Sequence, residues 1–235
     1  MEVTASVEDY LKTIWKLGSR GERVTPAAVA ARRDVSGPSA SIMLRRLVEA
    51  GLVVRGPAAE ILLSPRGEAA ALRVVRRHRL LETFLVQVCG LSWDEVDEEA
   101  EVLEHVLSPR LEARIDDLLG HPARDPHGDP IPAARAARHD DDWPDPLAGA
   151  AEGVSFLVER VSDRDPEALR HLATAGVRPG AVLEVGRQEP FGGPRWVTVQ
   201  PMDGTATGTP AVVALAPGLV ELVHGRGLVA VRGGS

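Results

Sequence analysis

A mainly helical chain that closes with a small β domain is the fold class this sequence predicts, and three observations lead to it. Apolar residues recur at helical spacing through the first 118 residues. A helix, turn, helix and hairpin succession opens the chain. Beyond residue 150, short Val/Leu runs alternate with Gly/Pro turns, the pattern of a small β-barrel.

The elements follow in order. Val7, Tyr10, Leu11, Ile14 and Leu17 line one face of a helix over about 4–17. Thr25-Pro26 supplies a cap and a first-turn proline for a short Ala-rich helix, and Ser36-Gly37-Pro38 repeats that start. Ala40, Met43, Leu44 and Leu47 stripe this third helix, which Gly51 stops. Leu52–Arg55, a Gly56-Pro57 turn and Glu60–Leu63 read as a hairpin, completing a winged helix-turn-helix over 1–73. Ser64-Pro65 opens a long helix to about Val88. Helices around 94–106 and from Ser108-Pro109 follow, giving a helical block over 74–145. Residues 121–150, dense in Pro, Asp and Gly, read as irregular linker. In 151–235, strands are expected at 154–161, 181–185, 196–199, 211–215, 219–223 and 228–231, with a helix over 166–175.

Charge divides along the same lines. Residues 1–75 carry +3, residues 76–145 carry −9 and residues 146–235 carry −1, within a total of −7. A basic front suits phosphates and an acidic middle suits cations. A single cysteine, Cys89, excludes an internal disulfide and a thiolate-rich zinc site, and its apolar run predicts a packed side chain. The start lacks a signal-peptide layout, and the longest uncharged stretch is broken by Gly and Pro, so a cytoplasmic protein without a membrane partner is expected.

On the third helix, Ser36, Pro38, Ser39, Ile42, Arg45 and Arg46 lie opposite the apolar stripe. The two arginines suit phosphates, and Ser36, Pro38 and Ile42 suit thymine methyl groups. A solvated face in a protein-binding winged helix is the alternative. Glu101, Glu104 and His105 stand at i, i+3 and i+4 on one helix, and His78 and Glu82 at i, i+4 on the helix before it. Carboxylates with imidazole and no thiolate favour a hard or borderline divalent ion such as Mn²⁺. Each pair alone is ordinarily a solvated face. Both pairs in the acidic block behind a basic head point to a metal.

These residues lie in runs that resemble the diphtheria-toxin-repressor family, in particular its manganese-transport-regulator branch with a C-terminal SH3-like (FeoA-like) domain. Glu8–Lys12, Ser36-Gly37-Pro38, Arg77–Glu82, Asp97–His105 and Arg124–Pro132 carry the resemblance, which covers nearly the whole chain. It implies a homodimeric, metal-activated repressor of metal-transport genes that binds double-stranded operator DNA. It places Asp9, Glu101, Glu104 and His105 on a primary metal site. It places His78 and Glu82 on a second, with Asp97 where a histidine is usual and Asp165 contributed by the C-terminal domain. The iron-responsive branch has Met and Cys at the positions of Asp9 and Glu101, so oxygen donors there favour manganese, with Fe²⁺ or other divalent first-row ions (Co²⁺, Ni²⁺, Zn²⁺) as further cofactors. Lys12 stands where two-domain manganese regulators carry a Glu; an ammonium there repels a second cation and is spaced to pair with Asp9. For the second site, a salt-bridged surface beside Arg79 and Arg164 is the competing reading. For the protein, the competitors are an iron-responsive regulator and a metal-dependent hydrolase using the same carboxylates.

Overall fold

The computed structural model describes residues 4–139, 141, 143–201 and 210–228. They form two compact units, one drawn from Met1–Gly90, Glu98–Asp125 and Pro130–Asp142, the other from Leu91–Asp97, Pro126–Asp129 and Trp143–Ser235.

The first unit opens with α1 (Ala5–Ser19), α2 (Pro26–Arg32) and α3 (Gly37–Glu49). Thr25 and Ser36 each accept a backbone N–H from the first turn of the helix they precede, as their position before proline predicts. The antiparallel wing pairs β1 (Val53–Arg55) with β2 (Ile61–Leu63). Leu11, Val29, Ala40, Leu44, Leu47, Ile61 and Leu72 are among the side chains that close this core. Helix α4 (Pro65–Gln87) runs unbroken through residue 73, where the sequence suggested a boundary, so one continuous helix leads from the head into the helical block. Shorter helices α5 (Val96–Leu103) and α6 (Pro109–Leu118) follow. Cys89 is exposed just past the end of α4, which corrects its expected place in a core.

The stretch expected to be linker is anchored within this unit by arginines of α4. Arg76 donates to the Pro132 carbonyl at 2.7 Å, and Arg79 donates to the Pro130 carbonyl at 2.5 Å and to Asp141 at 3.2 Å. The Arg79 guanidinium also lies 5.3 Å from the Trp15 ring of α1.

The second unit is a six-stranded antiparallel sheet ordered β3-β8-β4-β5-β6-β7. Its strands are β3 (Asp145–Pro146), β4 (Ser155–Val161), β5 (Val182–Gln188), β6 (Arg195–Val199), β7 (Ala211–Leu215) and β8 (Val223–Leu228). Phe156, Val158, Leu183, Val185, Val197 and Val199 alternate inward along β4, β5 and β6 and are buried, as are Leu169 and Leu172 of α7 (Pro166–Thr174). Residues 219–223 do not form the expected strand. Pro217 opens a helical turn, α8 (Pro217–Val220), and pairing begins only at Val223. The strand expected at 228–231 lies, past its first residue, outside the described residues.

Residues 126–129 are strapped to β4. Val161 donates its N–H to the His127 carbonyl, Arg160 is buried in an ion pair with Asp129, and its guanidinium lies 3.5 Å from the Trp143 ring. Gly128 makes this approach, with φ +88° and space so tight that an added Cβ meets the Glu159 carbonyl oxygen at 2.0 Å. Gly128→Ala therefore combines a left-handed backbone with a steric clash, and we expect it to lower the stability of this unit by about 2–3 kcal/mol in urea denaturation.

Candidate metal centre and nucleic-acid interface

Helix α1 and the end of α5 present the metal-binding candidates to each other inside the first unit. Asp9 lies on the polar side of α1, whose opposite stripe is buried. Glu104 and His105 follow α5 in a turn that keeps helical spacing, since the Glu104 N–H still bonds the Ala100 carbonyl. Donor atoms of Asp9, Glu104 and His105 lie within 4.8 Å of one another. His105 Nε2 is 2.7 Å from Asp9 Oδ1 and 3.7 Å from Glu104 Oε1.

Glu8 decides how that imidazole is used. Its carboxylate lies 2.8 Å from His105 Nδ1 and, when ionised, only accepts, so Nδ1 carries the proton in this contact. In the neutral ring Nε2 is then a lone pair aimed at Asp9 Oδ1, a buried oxygen with no hydrogen-bond partner. The 2.7 Å contact is an ion pair when the imidazole is protonated, and in the neutral ring it leaves two acceptors that a cation beside them would share. With Glu104 adjacent, oxygen and nitrogen donors without sulfur suit a divalent first-row ion.

Glu101 turns elsewhere. Its Oε2 receives Lys12 Nζ at 2.5 Å, and the same ammonium reaches both Glu104 oxygens at 2.7 and 2.8 Å. Lys12 thus pairs with α5, not with Asp9 as its spacing suggested, because the helix directs it into the gap between α1, α4 and α5. Asp9 Oδ2 is taken by Arg33 at 2.7 Å. His78 joins this same cluster: Nδ1 lies 2.7 Å from Glu104 Oε2 and Nε2 3.4 Å from Glu82 Oε1. Asp97 and Asp165 belong to the second unit, where Asp165 is exposed and caps α7 by accepting the Glu167 and Ala168 N–H groups. Neither Glu8 nor Arg33 carried a signal in the sequence, since their partners lie 97 and 24 residues away.

Burial disfavours the charged form of Glu104, yet the His78 hydrogen bond and charge, together with Lys12, outweigh it and hold the carboxyl below its ordinary range.

The face of α3 away from the core is exposed at Ser36, Pro38, Ser39, Ile42, Arg45 and Arg46. Ser36 and Ser39 hydroxyls bond each other at 2.8 Å, and Ile42 leaves half its surface to solvent. On the wing, Arg23 braces the Ala58 carbonyl, whose residue takes φ +51°.

A winged helix-turn-helix joined to an oxygen- and nitrogen-rich cluster defines the class of metal-dependent DNA-binding regulators. Residues 2–59 match the family model for the iron dependent repressor N-terminal DNA binding domain. Residues 64–133 match that for its metal binding and dimerisation domain, and 146–206 match the FeoA domain. The iron-dependent repressor IdeR of Mycobacterium tuberculosis is 34% identical over 198 residues, 78% of this chain and 85% of that one. The diphtheria toxin repressor of Corynebacterium efficiens is 33% identical over 193 residues, covering 78% and 84%. Among solved structures, a manganese-dependent transcriptional repressor in complex with manganese superposes with a TM-score of 0.80 at 41% identity, covering 94% of this chain and 99% of that one. ScaR with bound Cd²⁺ gives 0.76 at 29% identity, covering 94% and 99%. The chain belongs to the diphtheria-toxin-repressor family of metal-dependent transcriptional repressors, and the hydrolase reading is set aside.

Two outcomes follow from the cluster. Because Glu104 ionises more readily folded than unfolded, it supports folding above the ordinary carboxyl range, and that support fades as pH falls through the lowered value. Glu104→Gln should therefore flatten the acid limb of the stability curve, read by thermal melts from pH 7 to 3. Glu8→Gln, which loosens the His105 ring without removing a donor, should weaken divalent-metal affinity by about 10–100-fold in a chelator competition titration.

Proposed function

We propose that this protein is a manganese-responsive repressor that binds operator DNA as a homodimer and controls metal-transport genes. The observation that carries the reading is the convergence of donor atoms of Asp9, Glu104 and His105 within 4.8 Å of one another, in a cluster without sulfur. A divalent cation there would draw on both carboxylates and on the His105 Nε2 lone pair. Glu101, turned to Lys12 in this structure, would give up that contact to join the set. That donor chemistry and the similarity to repressors named for manganese support Mn²⁺, while relatives named for iron supply the competing assignment.

The chain's own residues then do the work. Asp9 stands on the first helix of the DNA-reading head, and Glu104 and His105 stand on the helical block, so restraining them together restrains the head. Arg45 and Arg46 offer charge to phosphates, and Ile42 with Pro38 offers apolar contact to thymine methyls in the major groove. The dimer is supported by an apolar groove of about 340 Å³ lined by Leu81, Phe84, Leu103, Leu107, Leu111 and Ile115. At its rim Val106 is 77% exposed and Leu118 65%, a patch that a second copy would cover. In such a dimer the two α3 helices would address successive major grooves, about 34 Å apart or a multiple of that.

Fluorescence anisotropy with duplex selected from a random library by the Mn²⁺-loaded protein tests this. Chelated protein should bind only weakly and with strong salt dependence, and Mn²⁺ should restore tight binding by a dimer. Equal affinity with and without metal would refute the reading, and activation by Fe²⁺ in preference to Mn²⁺ would favour iron. Asp9→Met with Glu101→Cys should move the activation ranking from Mn²⁺ toward Fe²⁺, Co²⁺ and Ni²⁺; an unchanged ranking would show that selectivity is set elsewhere.

A further inference from the structure

Between the metal cluster and the DNA-reading helix stands one side chain, Arg33. It closes α2, and the chain then turns within two residues into α3. Arg33 N–H returns to the Val29 carbonyl, Asp34 takes φ +50°, Val35 N–H bonds the Ala30 carbonyl, and Ser36 caps α3. That closed turn leaves little slack between Arg33 and the start of the recognition helix. From this turn the guanidinium reaches back across the head. Its Nη2 lies 2.7 Å from Asp9 Oδ2, its Nη1 3.9 Å from Glu101 Oε1, and its Cζ 5.9 Å from the centre of the Tyr10 ring. The pair is well enclosed, with side-chain exposures of 25% for Arg33 and 15% for Asp9, so solvent screens it less than a surface pair.

The two oxygens of Asp9 therefore have different partners. Oδ1 faces His105 Nε2 and lacks a hydrogen bond, while Oδ2 is held by Arg33. We propose that Arg33 is the positioning residue that couples the metal cluster to the recognition helix: it ties the second oxygen of the metal-facing carboxylate to the turn that starts α3. The proposal rests on the metal-responsive reading above and names the path by which that response reaches DNA. Fixing Asp9 through Oδ1 fixes the orientation of Oδ2, and a charge-assisted hydrogen bond passes that orientation to the guanidinium and the Asp34-Val35 turn. Arg33 touches neither base nor cation in this role. Removing it also removes a positive charge near the cation site, which offsets the loss of carboxylate orientation. Intrinsic metal affinity should thus change little while its link to DNA weakens.

The experiment compares the full-length protein with its Arg33→Leu and Arg33→Lys variants. Mn²⁺ affinity is measured by competition with a fluorescent chelator, with and without a saturating amount of the selected duplex. The ratio of the two affinities is the coupling factor, equal by linkage to the gain in DNA affinity caused by Mn²⁺. Arg33→Leu should keep DNA-free Mn²⁺ affinity within about threefold of the parent and lower the coupling factor by about tenfold or more. Arg33→Lys, which retains a charge able to reach one oxygen, should recover part of the coupling; this rescue distinguishes a specific contact from general damage. Should the leucine variant fail to fold, Arg33→Gln takes its place, with the same losses expected and Arg33→Lys still the rescue. A parental coupling factor in Arg33→Leu would overturn the proposal, as would a DNA-free Mn²⁺ affinity lowered about tenfold or more, since Arg33 would then serve only to hold the ligand. A coupling factor of one in the parent protein would instead overturn the regulatory reading on which this one stands.

Discussion

A single buried ammonium sets the terms on which the acidic block can fold. Lys12 is 4% exposed and bonds both oxygens of the fully buried Glu104 as well as Glu101. Without a positive charge at that point, two carboxylates of one helical segment would face the interior with only a histidine between them. Removing one member of such a group leaves the others uncompensated, at a cost of about 3–5 kcal/mol. Because Lys12 comes from the head and the carboxylates from the helical block, the same charge balance that permits folding also joins the two. Asp9 and Arg33 repeat the device one turn away with the polarity reversed, the acid on α1 and the base at the end of α2.

This arrangement gives the cluster two sides. On one, Lys12 pairs with Glu101 and Glu104 and His78 hydrogen-bonds Glu104, so that part of the acidic charge is already matched by the protein itself. On the other, Asp9 Oδ1 and His105 Nε2 face each other at 2.7 Å, and Glu8 behind the ring keeps the imidazole turned that way. The part of the cluster left to a cation is thus small in volume and specific in direction. A site in which every carboxylate awaited an external cation would be far less settled in its absence, by simple repulsion.

Much of the head was legible because its signals are local. Proline after Thr25 and after Ser36-Gly37, the apolar spacing along α1 and α3, and Gly51 with φ +67° each act within a few residues. The Glu101, Glu104, His105 spacing was legible for the same reason. What the sequence did not reveal depends on contacts across the fold: the reach of Lys12 to α5, the return of Arg33 to Asp9, and the support of His105 by Glu8. Each joins residues from different elements, and a charged side chain on a helix carries no mark of which neighbour it will meet. Local chemistry also misled where two local rules competed. At 219–223 the β-branched and Leu residues argued for strand, but Pro217 had already begun a helical turn. At Cys89 the apolar neighbours belong to the end of α4, where Val88 is already half exposed, so the run marks where the buried face stops.

The grip of Arg76 and Arg79 on Pro132 and Pro130 is made through main-chain carbonyl oxygens. Any residue presents such an oxygen, so the side chains at 130 and 132 are not what is being recognised. Packing tests the identity of Ile131, with 9% of its surface exposed, and of the buried Pro132, but less that of half-buried Pro130. The constraint therefore resides in the helix and not in the segment it holds. Relatives can be expected to drift at position 130 while keeping a pair of guanidinium groups three residues apart on α4, so a comparison of the segment alone would underrate how firmly it is held.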